Sequence, residues 1–216
     1  MILRNIFSDG QRIALVQTLL EFEDIRLSSE RIKNLLKEGI NKDSSFDEVD
    51  LVVIRNVINT LYFIEGLDTE NISIDTKFYI RLNELLAYEQ ALDTGYFRDR
   101  DISIACIAEP IKPARTDEIE KCLEAIKQVN TSDFKEVIAE NFLRLIRMQP
   151  FFDGNKRTTL CLCNLALLKK GLGMFVIESD KYENFENELT RFYTDDTSCR
   201  CREFLMNECI GERLIS

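Results

Sequence analysis

The chain of 216 residues contains no histidine. A zinc site would therefore need four cysteines or carboxylates at a recognisable spacing, and the seven cysteines show none. Cys161 and Cys163 lie two apart on an expected helix and point to different faces, while Cys199, Cys201 and Cys209 come nearer to a cluster. An odd cysteine count in a cytosolic setting reads as thiols rather than disulfides. Positive charge is scarce as well: 28 Lys and Arg face 38 Asp and Glu, a formal net charge of −10. That balance argues against a general nucleic-acid surface, although a local basic cradle can coexist with it. Three prolines and eight glycines leave no Pro/Gly-rich linker. No apolar run reaches the roughly 18 residues of a membrane span. The opening Met1-Ile2-Leu3-Arg4-Asn5 lacks the apolar core of a secretory signal. The expectation is a cytoplasmic protein that engages neither membrane nor nucleic acid.

Hydrophobic residues make up 45% and charged residues 31%, a globular composition rich in helix formers and sufficient for one substantial core. Apolar spacing predicts helices at 11–26, 29–38, 47–64, 76–93, 116–129, 133–148, 158–170, 181–193 and 198–209. Ser8, Asp75, Thr116 and Ser132 stand where N-caps belong, and Gly39, Gly95 and Gly171 where helices should stop. Residues 102–111 alternate apolar with small or polar residues before Pro110 and Pro113, as a strand region does. The fold class expected is all-α with one small β-hairpin. An N-terminal helical region, 1–44, would precede the main unit, 45–216.

The densest chemical signal is Gln149-Pro150-Phe151-Phe152-Asp153-Gly154-Asn155-Lys156-Arg157. Pro150 biases Gln149 away from the α region and should end the preceding helix. The turn then delivers backbone amides at a fresh helix N-terminus, where unpaired donors and the helix dipole favour an anion. Asn155, Lys156 and Arg157 add side-chain donors, and Asp153 could hold a divalent cation against the same phosphates.

Residues 150–157 resemble the signature of the Fic family, His-Pro-Phe-x-Asp/Glu-Gly-Asn-Gly/Lys-Arg, whose helical members mostly move AMP from ATP onto a protein hydroxyl. Gly95-Tyr96-Phe97-Arg98 is similar to the Gly-x-Phe/Tyr-Arg that precedes the family's flap hairpin, and residues 101–113 fall where that flap lies. Tyr182 and the helices after it resemble the C-terminal helices that help enclose the nucleotide. The resemblance implies ATP and Mg²⁺ as cofactors, with Asp153 as the metal ligand. Gly154 and Asn155 would form the anion hole, and Lys156 and Arg157 would contact nucleotide phosphates. Phe151 would pack in the core, and a protein target or partner would add along 101–113 by β-augmentation. Homodimers are common in the family, so a homodimer is allowed.

Three positions depart from the pattern. Gln149 stands where the family has its proton-accepting histidine, and a neutral amide cannot keep a proton. Leu160 stands where many members carry a second arginine. The nearest counterpart of the family's inhibitory Ser/Thr-x-x-x-Glu-Gly/Asn helix is Asn34-Leu35-Leu36-Lys37-Glu38-Gly39, in which Glu38-Gly39 also reads as an ordinary helix C-terminus. The implied function is a nucleotide-binding, degenerate or attenuated AMP-transferase, a pseudoenzyme or regulator. An active transferase using another base such as Glu109, and a non-enzymatic helical module that keeps the motif as a turn, remain open beside it.

Overall fold

The computed structural model describes residues 6–40, 46–68, 71–91, 93–104, 106–195 and 198–211. The domain boundary expected at 44/45 lies outside these residues. Within them the chain forms α1 (Asp9–Glu21), α2 (Ser29–Glu38), α3 (Glu48–Glu65), α4 (Thr76–Leu86), α5 (Thr116–Lys127), α6 (Phe134–Met148), α7 (Asn155–Lys170), α8 (Ser179–Asp195) and α9 (Ser198–Phe204). α9 continues into a π-helical turn, Leu205–Cys209. The fold is helical, as the apolar spacing predicts.

α7 is the axis of the molecule. Asn155 and every residue from Arg157 to Leu167 are buried, because α4, α5 and α6 pack around it. A helix enclosed on all sides needs no polar face, and this one has Leu, Cys and Ala around its circumference. α6 packs in turn on α5 and α9, α3 on α4, and α1 on α2, α3 and α8. The N-terminal helices are thus seated on the main body.

Two of the four cap residues expected act as N-caps. Ser8 accepts from Gln11 N while Gln11 Oε1 accepts from Ser8 N, a reciprocal capping box, and Asp75 accepts from Phe78 N. Thr116 and Ser132 do not; those helices start after Arg115 and Asp133 without side-chain caps, and Ser132 instead bonds Asn130.

Two helices end well short of the periodicity, both for tertiary reasons. α1 stops at Glu21: Asp24 turns into the left-handed region (φ 59°) and Ile25 N folds back on Leu20 O at 3.1 Å, burying Phe22 and Ile25. α4 stops at Leu86 rather than 93, because its last carbonyl is taken by Arg157 Nη1 (3.0 Å) and Asn56 Nδ2 (3.4 Å).

The strand region expected at 102–111 is reduced to one antiparallel pair, Ile102 with Ile111, and residue 105 lies outside the described segments. The ladder is this short because Ile104 O turns back to accept from Ile107 N on one side of the pair, and on the other Pro113 has no amide to donate. The one two-stranded sheet among the described residues is elsewhere, β1 (Met174–Phe175) antiparallel to β2 (Ile210–Gly211). Asn164 inside α7 fixes it, donating to Phe175 O (2.7 Å) and accepting from Phe175 N (2.9 Å).

Candidate functional site

The 149–157 turn is held in place before any of its side chains faces a ligand. Phe151 is buried between Tyr79 and Phe97, with ring centroids 5.0 and 5.2 Å away. Asn83 on α4 donates to Asp153 O at 2.8 Å, and Tyr79 OH meets Thr159 Oγ1 at 2.7 Å. Gly154 sits at φ 73°, a left-handed turn open to glycine at little cost. A Cβ there would lie 3.2 Å from Asn83 Nδ2 and 3.3 Å from Ala87 Cβ.

Gln149 ends α6 in the left-handed region, φ 46° and ψ 65°, rather than in the extended conformation that a following proline favours. A non-glycine residue in this region needs support from its surroundings. Arg98 supplies it. Its guanidinium is almost fully buried and donates to five backbone carbonyls: Gln149 (2.6 Å), Met148 (3.2 Å), Arg100 (2.7 Å), Ile111 (2.9 Å) and Lys112 (2.6 Å). Arg98 N also donates to Pro150 O at 2.9 Å. One side chain thereby ties the base of the 101–113 segment to the start of the motif.

The Gln149 amide is fully engaged. Its Nε2 donates to Ile146 O (2.6 Å) and reaches Tyr193 OH (3.4 Å), and its Oε1 accepts from Asn155 Nδ2 (2.8 Å). Asn155 also donates to Phe151 O and accepts from Phe151 N, each at 2.9 Å. Asn155 therefore serves the shape of the loop. Tyr193, the one titratable side chain bonded to Gln149, has its phenol held above the ordinary range by burial. Glu109 is exposed on the segment between Ile102 and Ile111.

Gly154 opens α7 without a side-chain cap from its own residue, so the first amides of the helix are available as donors. Beside them lies Arg157, wholly buried. Its Nη1 donates to Leu86 O (3.0 Å) and Gln90 Oε1 (2.7 Å). Its Nε lies 2.8 Å from Glu23 Oε1 and its Nη2 3.6 Å from Asp153 Oδ1, yet neither nitrogen makes an aligned hydrogen bond. Lys156 is half-buried with its ammonium 5.2 Å from the Phe22 ring centre. Burial lowers its pKa, opposed by Glu23, Glu186 and Asp24. Burial likewise raises Glu23, opposed by Arg157 and Lys156.

Asp153 is part-exposed and its Oδ1 accepts from Gly154 N, a contact just outside α7 that leaves the first amides of the helix uncapped. A cleft of about 370 Å³ lined by Gln90, Ala91, Asp93, Arg100, Phe152 and Asp153 opens beside it. Among the described residues no three His, Cys, Asp or Glu side chains gather as a metal cluster. One accessible carboxylate next to a phosphate cradle nevertheless fits Mg²⁺, which is commonly held by one or two carboxylates plus phosphates. The Nη2 of Arg157, which has no hydrogen bond, the opening amides of α7 and Lys156 are donors of the kind that phosphates take.

The structure brings Gln149, Asp153, Gly154, Asn155, Lys156 and Arg157 onto one loop. It does not bring Glu38 there: that side chain is exposed at the end of α2. The carboxylate at Arg157 is Glu23, which no local pattern announces, because the pair spans 134 positions of chain and closes only when α1 packs. Asn83 and Gln90, equally silent in the sequence, complete the surround. Leu160 is buried in the core.

Residues 73–167 match the family model described as Fic/DOC family. No curated protein matches. Among solved structures, a Fic domain containing signaling protein from Bacteroides thetaiotaomicron superposes with a TM-score of 0.66 at 22% identity, over 92% of this chain and 80% of that one. A Fic family protein from Desulfovibrio desulfuricans gives 0.68 at 18%, over 92% and 61%. Fic-1 from C. elegans gives 0.66 at 19%, over 89% and 57%. The chain thus spans less than two thirds of the last two. At these identities the likeness is one of fold, and it agrees with the matched segment: residues 73–167 match the Fic/DOC family model, in a chain with the fold of Fic proteins.

Proposed function

We propose that this protein binds the phosphates of a nucleotide, with Mg²⁺, at the 153–157 turn and performs little or no AMP transfer. The observation that carries the binding half is the buried Arg157 Nη2, without a hydrogen bond and 3.6 Å from the nearest carboxylate oxygen, beside the uncapped start of α7. A buried guanidinium donor is rarely left so, and an anion is the partner its position suits. The second half rests on Gln149. Its amide is neutral and engaged on both sides. Loss of a general base typically slows proton transfer by about 10²–10⁴. Phosphate binding does not use that base and need not fall with it.

Glu23 sets the threshold for binding. Its carboxylate faces the guanidinium edge that a phosphate oxygen would take, so nucleotide has to displace or share that ion pair. The same contact is the observation that favours a second reading, a helical interaction module in which Arg157 is purely structural.

A melting scan with ADP or ATP and Mg²⁺ tests the proposal. At a ligand concentration about 100-fold above Kd the folded form gains about 2.7 kcal/mol, which moves a domain of this size up by roughly 5–10 °C. No shift with either nucleotide at millimolar concentration sinks the nucleotide reading in favour of the module. Gln149→His should raise labelled AMP transfer from ATP onto lysate proteins, or onto the protein itself, by about 10²-fold or more. Wild-type transfer matching that of the variant would show that another base is at work.

A further inference from the structure

We propose a second ligand site, separate from the motif loop: a cleft between α1 and α2 that takes a small organic anion with an apolar body. The cleft encloses about 230 Å³ and is lined by Asp9, Arg12 and Ile13 from α1 and by Lys33, Leu36 and Lys37 from α2. Each trio has the spacing i, i+3, i+4, which puts its members on one face of their helix. All six precede residue 73, so the site lies outside the segment that matches the family model. Its lining combines two apolar side chains, Ile13 and Leu36, with three cations and one carboxylate.

Arg12 is fixed by α3. Its Nε lies 3.0 Å from Oε1 of the buried Glu65, and its Nη2 donates to Glu65 Oε2 at 3.3 Å. Tyr62, on the same helix, places its ring centre 5.8 Å from the guanidinium carbon, and its OH donates to Leu36 O at 2.7 Å, which ties α2 to α3 as well. The remaining nitrogen of Arg12, Nη1, is 3.7 Å from Asp9 Oδ1, too far for a hydrogen bond. Arg12 therefore keeps a donor for a ligand oxygen on a side chain that is already ordered. Lys33 and Lys37 are exposed one turn apart, and among the described residues neither ammonium has an ion pair or a hydrogen bond. Lys37 suits the C-terminal dipole of α2, whereas Lys33, a turn earlier, gains little from it. Like charges at i, i+4 repel, and an anion between them relieves that repulsion. Even with Glu65 counted, three cations stand against two carboxylates, in a chain whose net charge is −10. An oxyanion head belongs beside these cations, with its apolar part against Ile13 and Leu36. The volume sets the size: at about 30 Å³ per water displaced, the cleft holds roughly eight waters, room for a carboxylate of about six carbons. Drug-sized ligands occupy roughly 300–1,000 Å³, so a nucleotide does not fit.

Sodium hexanoate is the probe. Titrated at constant ionic strength into the full chain labelled with nitrogen-15, it should shift the amide resonances of α1 and α2 saturably, with a Kd of about 1 mM or below. Hexanol, which lacks the charge, and acetate, which lacks the apolar body, should each bind at least about fivefold more weakly. Lys33→Gln and Lys37→Gln exchange exposed residues for another good helix former. Each should weaken hexanoate binding about fivefold, the effect of losing one charge near 4 Å from the ligand in water. No saturable shift in α1 and α2 at tens of millimolar hexanoate overturns the proposal. Binding that both lysine variants leave unchanged also overturns it, because the anion then sits elsewhere. Hexanol or acetate binding as tightly as hexanoate overturns the assignment of the ligand class.

Discussion

Replacing Arg98 by Ala removes the donor from five backbone carbonyls at once. A hydrogen bond from a charged donor contributes about 1.5–3 kcal/mol, so naive addition gives roughly 7–15 kcal/mol. That sum is too large, because folding also strips water from the guanidinium, at several kcal/mol, and the carbonyls at the 101–113 base can turn to solvent once released. The two carbonyls at the end of α6 cannot turn so easily: Gln149 is fixed in the left-handed region between a helix and Pro150. Counting those two in full and the other three at about half gives roughly 5–10 kcal/mol, and the several kcal/mol of guanidinium desolvation bring the loss to about 4 kcal/mol, at the upper end for single substitutions. For a chain of this size that is roughly 8–16 °C in Tm. Arg98→Lys should recover less than half, since one ammonium cannot span both sides of the clamp. Scanning calorimetry gives the Tm, and hydrogen exchange gives the location. Protection at Ile102, Ile111 and Gln149 amides should fall together while the middle of α7 keeps its protection. A Tm loss under about 3 °C for Arg98→Ala, or loss of protection at only one side, would refute the coupling.

Gly154→Ala should cost about 2–3 kcal/mol, from the left-handed φ and from displacement of Asn83 and Ala87, and should weaken nucleotide binding; urea titration and calorimetry read the two effects. Glu21 is buried, and desolvation holds its carboxyl above the ordinary range. An acid with a raised folded pKa binds more protons folded than unfolded, so its charged form subtracts stability at neutral pH and the penalty fades as pH falls toward the free-glutamate value. Glu21→Gln should therefore match or exceed the wild-type Tm at pH 7.5, with the difference closing near pH 4.5; a difference that grows on acidification contradicts this. Cys122, Cys161, Cys163, Cys201 and Cys209 are buried, Cys106 is half-buried and Cys199 exposed. Burial pushes Cys161 and Cys201 up to about 12, so Ellman's reagent should titrate one thiol quickly, one slowly and five only after denaturation.

Helix existence was legible along the whole chain because apolar spacing records which face is buried. Helix ends were legible only where the stop is local. Gly39 and Gly171 end α2 and α7 as left-handed or open residues, whereas Leu86 ends α4 because Arg157 and Asn56 arrive from distant parts of the chain. The 102–111 segment misled because its alternation is that of a ladder, but Ile104 O is taken by Ile107 N in a turn and Pro113 has no amide to extend the pairing. The short β1–β2 pair was invisible, since two residues on each side leave no period to read.

The amino-acid order alone set the helical class, placed the motif turn between two helices, and settled that no imidazole stands at position 149; these are properties of composition, local periodicity and proline and glycine stereochemistry. The packed structure decided how the motif's charges are used. Arg157 is a buried residue facing Glu23, Gln90 and Asp153, and Gln149 is an amide locked to Asn155. The pairings of Arg157 with Glu23 and Gln90 join residues far apart in the chain, and electrostatic energy depends on distance and burial in space, which local sequence pattern does not encode.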